Sequence, residues 1–121
     1  MDDSKTYDIR VLASLANRTA RDKGWWDEER SFGDCCALIH SEVSEALEAF
    51  RELEDVDKIR EMQYEPSPIG PKPVGVASEL ADVLIRVFDA CEHFGIPLDD
   101  AVLEKLSYNR SRPWRHGGKR L

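Results

Sequence analysis

A chain of 121 residues, 41% hydrophobic and 34% charged, has the length of one ordinary domain and the charge density of amphipathic helices with solvated outer faces. Its 24 acidic and 17 basic residues give a formal net charge of −7, which argues against a basic, nucleic-acid-coating protein. The balance is lopsided: residues 105–121 hold six Lys/Arg and no Asp/Glu, so the first 104 residues carry −13.

Three cysteines, Cys35, Cys36 and Cys91, are an odd number without a CxxC spacing, which fits a reduced, cytoplasmic protein better than a disulfide framework. The acidic opening Met1–Lys5 lacks the layout of a signal peptide, and no apolar run approaches the ~20 residues that span a bilayer. Neither a phosphate-loop glycine pattern nor HExxH occurs.

In chain order, Ile9, Leu12, Ala13, Ala16 and Ala20 recur at helical spacing and predict a first helix over Thr6–Lys23, stopped by Gly24. Trp25 to Glu28 form a short connection. Ser31 or Asp34 caps a second helix running to about Met62, with Cys35, Leu38, Ile39, Val43, Ala46, Leu47, Phe50 and Leu53 on one side. Beyond Glu54 the pattern thins. Four of the six prolines fall in residues 63–75, which predicts a loop, because proline lacks a helix donor and restricts its predecessor. The third helix spans Val76–Phe94, with an apolar stripe through Leu80, Leu84, Val87 and Cys91, and ends at Gly95. Pro97 suits the first turn of a fourth, with Asp99 and Asp100 matching its dipole. That helix runs to about Asn109 with Ala101, Val102 and Leu106 inward, and Pro113 bars its extension. Strand signals are nearly absent. The expectation is all-α: a four-helix, bundle-like single domain over residues 1–121, with a Pro-rich loop at 63–75 and a basic tail at 110–121.

Carboxylates intrude on the apolar faces. At ~100° per residue, Glu42 falls inside the stripe of the second helix, between Ile39 and Val43, with Glu45 at its edge. An ionised carboxylate there costs several kcal/mol unless compensated, and that helix offers no nearby cation. The third helix repeats the pattern with Glu79 and Asp82, also i,i+3 and therefore on one face. If the helices face each other, four acids converge and call for a cation. Hard oxygen ligands suit Mg²⁺ or Mn²⁺, and Mg²⁺ commonly bridges carboxylates to substrate phosphates. A solvated acidic face is the competing reading of the same residues. No histidine follows a Glu at i+3, which argues against a di-iron bundle, and His93 reads as a surface residue matched to a helix C-terminus.

At the basic end, Lys105 and Asn109 lie one turn apart beside Tyr108, with Arg112 just beyond. Such a group can hold phosphate oxygens, or can merely complement the helix dipole. Of Trp25 and Trp26, one can cover the core edge and the other can stack on a flat ring such as a nucleobase. The cysteines read as core fillers without an activating base.

The segments LIHSEVSEALEAFR, SELADVLIRVFDACEHFGIPL and AVLEKLSYNRSRPWRHGGKR closely resemble the MazG-like nucleotide pyrophosphohydrolases of the all-α NTP pyrophosphatase superfamily, over about residues 12–112. The resemblance implies Mg²⁺ held by Glu42, Glu45, Glu79 and Asp82. It also implies cleavage of a nucleoside triphosphate between the α and β phosphates to the monophosphate and pyrophosphate, in clearance of the nucleotide pool. Glu42 or Glu45 would then act on the attacking water. Lys105 and Asn109 match the phosphate-contacting Lys-x-x-x-Asn, Arg112 extends that group, and Trp25 falls near the base. Family members assemble as dimers or tetramers whose subunits complete each other's sites, so a homodimer or homotetramer is expected, with neither nucleic acid nor membrane as partner. The chain departs from the pattern in its longer, Pro-rich stretch between the acid pairs and in Glu52, where some relatives carry an aromatic residue. The same bundle could instead serve as a non-catalytic nucleotide-sensing or assembly module. Phosphoribosyl-ATP pyrophosphatase is a further, closer alternative within the same superfamily.

Overall fold

The computed structural model of the chain describes residues 6–113. Four α-helices dominate it: α1 (Ile9–Asp22), α2 (Phe32–Arg51), α3 (Gly75–Phe94) and α4 (Leu98–Ser111). Two short strands, β1 (Gln63–Glu65) and β2 (Lys72–Val74), and one 3-10 turn (Val56–Arg60) fill the space between α2 and α3.

Local chemistry sets each boundary. The Asp8 carboxylate accepts from the Val11 N–H at 2.8 Å and starts α1 there rather than at Thr6. After α1, Gly24 takes φ +84° and the Trp25 N–H reaches back to the Ala20 carbonyl at 2.9 Å, which turns both tryptophans onto the helix end. Ser31 and Asp34 cap α2 reciprocally: the Asp34 N–H donates to Ser31 Oγ at 3.0 Å and the Ser31 N–H to Asp34 Oδ2 at 3.1 Å.

α2 stops at Arg51, well short of Met62. Glu48, Glu52, Glu54 and Asp55 crowd acids onto the negative end of the helix dipole. Asp55 instead caps the 3-10 turn, accepting from the Asp57 N–H at 2.9 Å. The Pro-rich segment also departs from expectation. It forms an antiparallel hairpin in which Gln63 faces Val74 and Glu65 faces Lys72. Pro73 is tolerated because each strand of a two-stranded sheet is an edge with one row of N–H groups unpaired. The hairpin delivers the chain to α3 through Gly75, at φ +90°, where a Cβ would sit 2.8 Å from Gln63 Oε1. Gly95, at φ +68°, ends α3.

α3 is the common wall of the fold, with α1 and α2 both packed along it. Mutual electrostatic influence pairs Cys35 with Asp89, Glu42 with Asp82 and Glu45 with Glu79, a register that runs α2 antiparallel to α3. The buried apolar residues are small or medium-sized: Ala13, Cys35, Ala46, Val76, Ala90 and Cys91. Cys35 and Cys91 thus fill the core, and burial pushes both thiols up. α4 meets α1 over a short stretch and buries none of its residues. Leu106, expected inward, is 60% exposed because no second helix covers that side of α4. Apolar side chains also stay open on the two central helices, Leu80 and Leu84 on α3 and Val43 and Leu47 on α2. No described helix is long and apolar enough to cross a membrane.

Candidate functional site

The antiparallel contact of α2 with α3 brings three acids together. One carboxylate oxygen each from Glu42, Glu79 and Asp82 lies within 4.8 Å of the others. The i,i+3 spacing on α3 puts Glu79 and Asp82 on one face, and Glu42 approaches from α2. Glu45, one turn further along α2, is exposed and stands outside this group of three. Its charge still acts on Glu79. Burial pushes the Glu79 carboxyl above the usual carboxylate range, and the charges of Asp82, Glu45 and Glu42 push it further. Asp82 is raised by burial and then by Glu42, with Arg86 opposing. Three carboxylate oxygens this close could hold a hard divalent cation, and oxygen donors of this kind fit Mg²⁺ or Mn²⁺.

Arg86 was missed by sequence reasoning. Its Nε donates to Glu42 Oε1 at 3.1 Å, which supplies the compensation that α2 itself lacks. The signal was available: Glu79, Asp82, Arg86 and Asp89 follow one another at spacings of three and four, a charged stripe down one face of α3. That stripe was hidden behind the stronger apolar pattern of the same helix. One arginine against three acids leaves the cluster anionic.

Trp25 stands beside the cluster. The guanidinium of Arg30 lies 3.8 Å from its ring centroid and that of Arg86 4.3 Å. Trp25, Arg86, Glu42 and Asp82 line one part of a cleft of about 800 Å³, whose other walls mix apolar residues of α1 and α3, such as Leu12, Ala16, Ile85 and Phe88, with Thr19, Lys23, Arg30 and Asp89. Trp26 takes the structural part. It donates to Asp89 Oδ1 at 2.9 Å, stacks on His93 with centroids 3.6 Å apart, and meets the edge of Phe94. His93 is therefore exposed yet engaged, not simply a charge set at a helix end. A second cleft, of about 920 Å³, lies between α1 and the α3–α4 connection beside Arg10 and Asp99. It shares no residue with the acidic cluster.

The basic residues are not brought to the acids within one chain. Lys105 and Asn109 are exposed on α4, and neither they nor Arg112 line the cleft that holds Trp25. They do gather about one ring: Lys105 Nζ and Arg112 Cζ each lie 5.8 Å from the Tyr108 centroid. Residues 114–121 of the basic tail lie outside the described residues.

The fold and site together define a mostly helical protein with a cluster of three acids beside a cleft lined in part by Trp25. Comparison with protein-family models, curated proteins and solved structures returns no match.

Proposed function

We propose that the chain is a Mg²⁺-dependent nucleoside triphosphate pyrophosphohydrolase of the MazG-like kind. The observation that carries this reading is the meeting of Glu42, Glu79 and Asp82 oxygens within 4.8 Å, from two helices, at one side of the Trp25 cleft. Those three carboxylates would hold the ion, which when bound supplies charge neutralisation for the triphosphate. Glu42 or Glu45, the latter exposed and one helical turn further along α2, would orient a water and take its proton. The water oxygen bonds to phosphorus, the P–O bond to the bridge between the α and β phosphates breaks, and pyrophosphate leaves. Trp25, whose ring carries the guanidiniums of Arg30 and Arg86, would stack on the base in place of one of them.

A second copy completes this reading in two ways. It covers Leu80, Leu84, Val43 and Leu47, and its α4 brings Lys105, Asn109 and Arg112 to the phosphate chain that the acids of the first copy receive. The test is release of pyrophosphate from each common NTP with Mg²⁺, for the wild type and for Glu45→Gln and Asp82→Asn. Turnover that either substitution abolishes, with the fold intact, supports the enzyme. Tight nucleotide binding without product assigns the chain to a non-catalytic sensing role instead.

A further inference from the structure

α3 carries Asp82, Arg86 and Asp89 at spacings of four and three, so the three side chains share one face. Two turns, about 10.5 Å of helix rise, separate the metal-ready end from Asp89. Asp89 is only 7% exposed. Its Oδ1 accepts from Asn17 Nδ2 and from Trp26 Nε1, both at 2.9 Å, which uses both lone pairs of that oxygen. Its Oδ2 accepts from no described group. It is also not sealed in, because the described residues contain no buried side-chain oxygen left without a partner. Asp89 lines the same cleft as Trp25, Ile85 and Phe88. A nearly buried carboxylate thus has one oxygen tied down by neutral donors and the other without a described partner, in a residue that lines the cleft beside Thr19, Lys23 and Arg30 as well as apolar side chains.

We propose that Asp89 Oδ2 reads the hydrogen-bonding edge of a nucleobase in this cleft and selects amino-bearing bases, guanine above all, over uracil and thymine. The inference rests on the nucleotide reading above and names its substrate class. The open oxygen can only accept from a base. Guanine presents two adjacent donors, N1–H and the 2-amino group, and a single oxygen has two lone pairs to take them. Cytosine and adenine present one amino donor beside a ring-nitrogen acceptor and rank lower. The N3–H of uracil or thymine is flanked by two carbonyl oxygens, which a carboxylate repels. Asn17 and Trp26 act as positioning residues: by holding Oδ1 they fix the plane of the carboxylate, and so the direction of Oδ2.

The experiment is calorimetric binding of GMP, IMP and UMP with Mg²⁺, together with NTP turnover, for the wild type and Asp89→Asn. Asparagine keeps an oxygen for Asn17 and Trp26 and puts an amide donor where Oδ2 stood. The wild type is expected to bind GMP about tenfold or more tighter than UMP, with IMP, which lacks the 2-amino group, in between. In Asp89→Asn the GMP:UMP ratio is expected to fall to about one or below. Equal affinity for GMP and UMP in the wild type overturns the inference, even if NTPs are hydrolysed. Selective GMP binding without turnover of any NTP upholds it and overturns the hydrolase reading. Failure of the wild type to bind any of the three overturns it as well. Thermal melting reports whether Asp89→Asn folds, and if it does not, the wild-type panel alone decides.

Discussion

The two ends of the charged stripe on α3 solve one problem in opposite ways. At Asp89 a carboxylate sits in the interior with neutral donors, the Asn17 amide and the Trp26 indole, both aimed at one oxygen. At Glu79 and Asp82 the carboxylates are pressed against other carboxylates, with Arg86 bonded to Glu42 and only the charges of Lys72 and Arg86 opposing the crowding. The first end is hydrogen-bonded within the chain and rigid. The second is left electrostatically incomplete. A fold that ties one oxygen of a lone acid with neutral donors, and holds three other acids against one another, builds two different electrostatic environments along one helix face.

The largest effect on stability is expected at Asp89. Asp89→Ala strands a buried donor, Asn17 Nδ2, and a half-buried one, Trp26 Nε1. At ~1–3 kcal/mol for each unsatisfied group, the loss is about 3 kcal/mol, read as a lower midpoint in thermal or denaturant unfolding. Asp82→Asn should show the contrast. It removes a charge from a repelling group, so the metal-free protein is expected to melt at the same temperature as the wild type or slightly higher. On the proposed reading Mg²⁺ should stabilise the wild type, by about 2.7 kcal/mol at a hundredfold excess over Kd, and that gain should be lost in the variant. If the two substitutions destabilise the metal-free protein equally, the contrast between the ends is broken.

The pH dependence sharpens the same point. The folded chain raises the carboxyls of Glu79 and Asp82 above their ordinary values, so the folded state holds protons that the unfolded state has released. Their contribution to stability is fully present below the ordinary carboxylate range and is lost as pH rises through the raised values. Without metal, the wild type should therefore lose stability across that mildly acidic window relative to a Glu79→Gln/Asp82→Asn double variant. With Mg²⁺ the order should reverse toward neutral pH, because the cation then occupies the place the protons leave. Melting curves across that window, with and without Mg²⁺, give both signs.

The sequence made the helices legible because their signals are local. Gly24, Ser31, Gly95 and Pro97 mark ends that depend on cap and turn chemistry within a few residues. The paired acids were legible for the same reason: i,i+3 spacing on an amphipathic helix needs no tertiary knowledge. What stayed hidden was non-local. Arg86 and Asp89 belong to a charged stripe readable on α3, but their partners lie 44 and 72 positions away, so the pairings appear in the periodicity of no single helix. The end of α2 at Arg51 was hidden differently, because adverse charge near a helix C-terminus competes with an apolar pattern that would otherwise continue. The hairpin at 63–74 was masked by its prolines, which two edge strands can carry and a central strand cannot. The separation of Lys105 and Asn109 from the acids follows from where α4 packs, on α1 and away from α2, which no spacing along the chain reports.

The smallest effect is expected at the pair that looks most like a strut. Arg10 Nε lies 3.8 Å from Asp99 Oδ2 and joins α1 to α4. The arginine side chain is 80% exposed, so water and salt screen the attraction, and holding a long flexible side chain in one place costs entropy. Asp99 also sits in the first turn of α4, where its charge complements the helix dipole whether or not Arg10 is present. Arg10→Gln should therefore shift stability by no more than about 0.5 kcal/mol, and Asp99→Asn by slightly more, since it loses both interactions. A double-mutant cycle in 0.1 M and 1 M salt measures the coupling, which should shrink toward zero at the higher salt. A coupling that survives 1 M salt at its full size would mean that α4 is fixed to α1 as firmly as α3 is. Lys105 and Asn109 would then be locked away from the acids of their own chain, and the phosphate-contacting side chains proposed on α4 would have to come from a second copy.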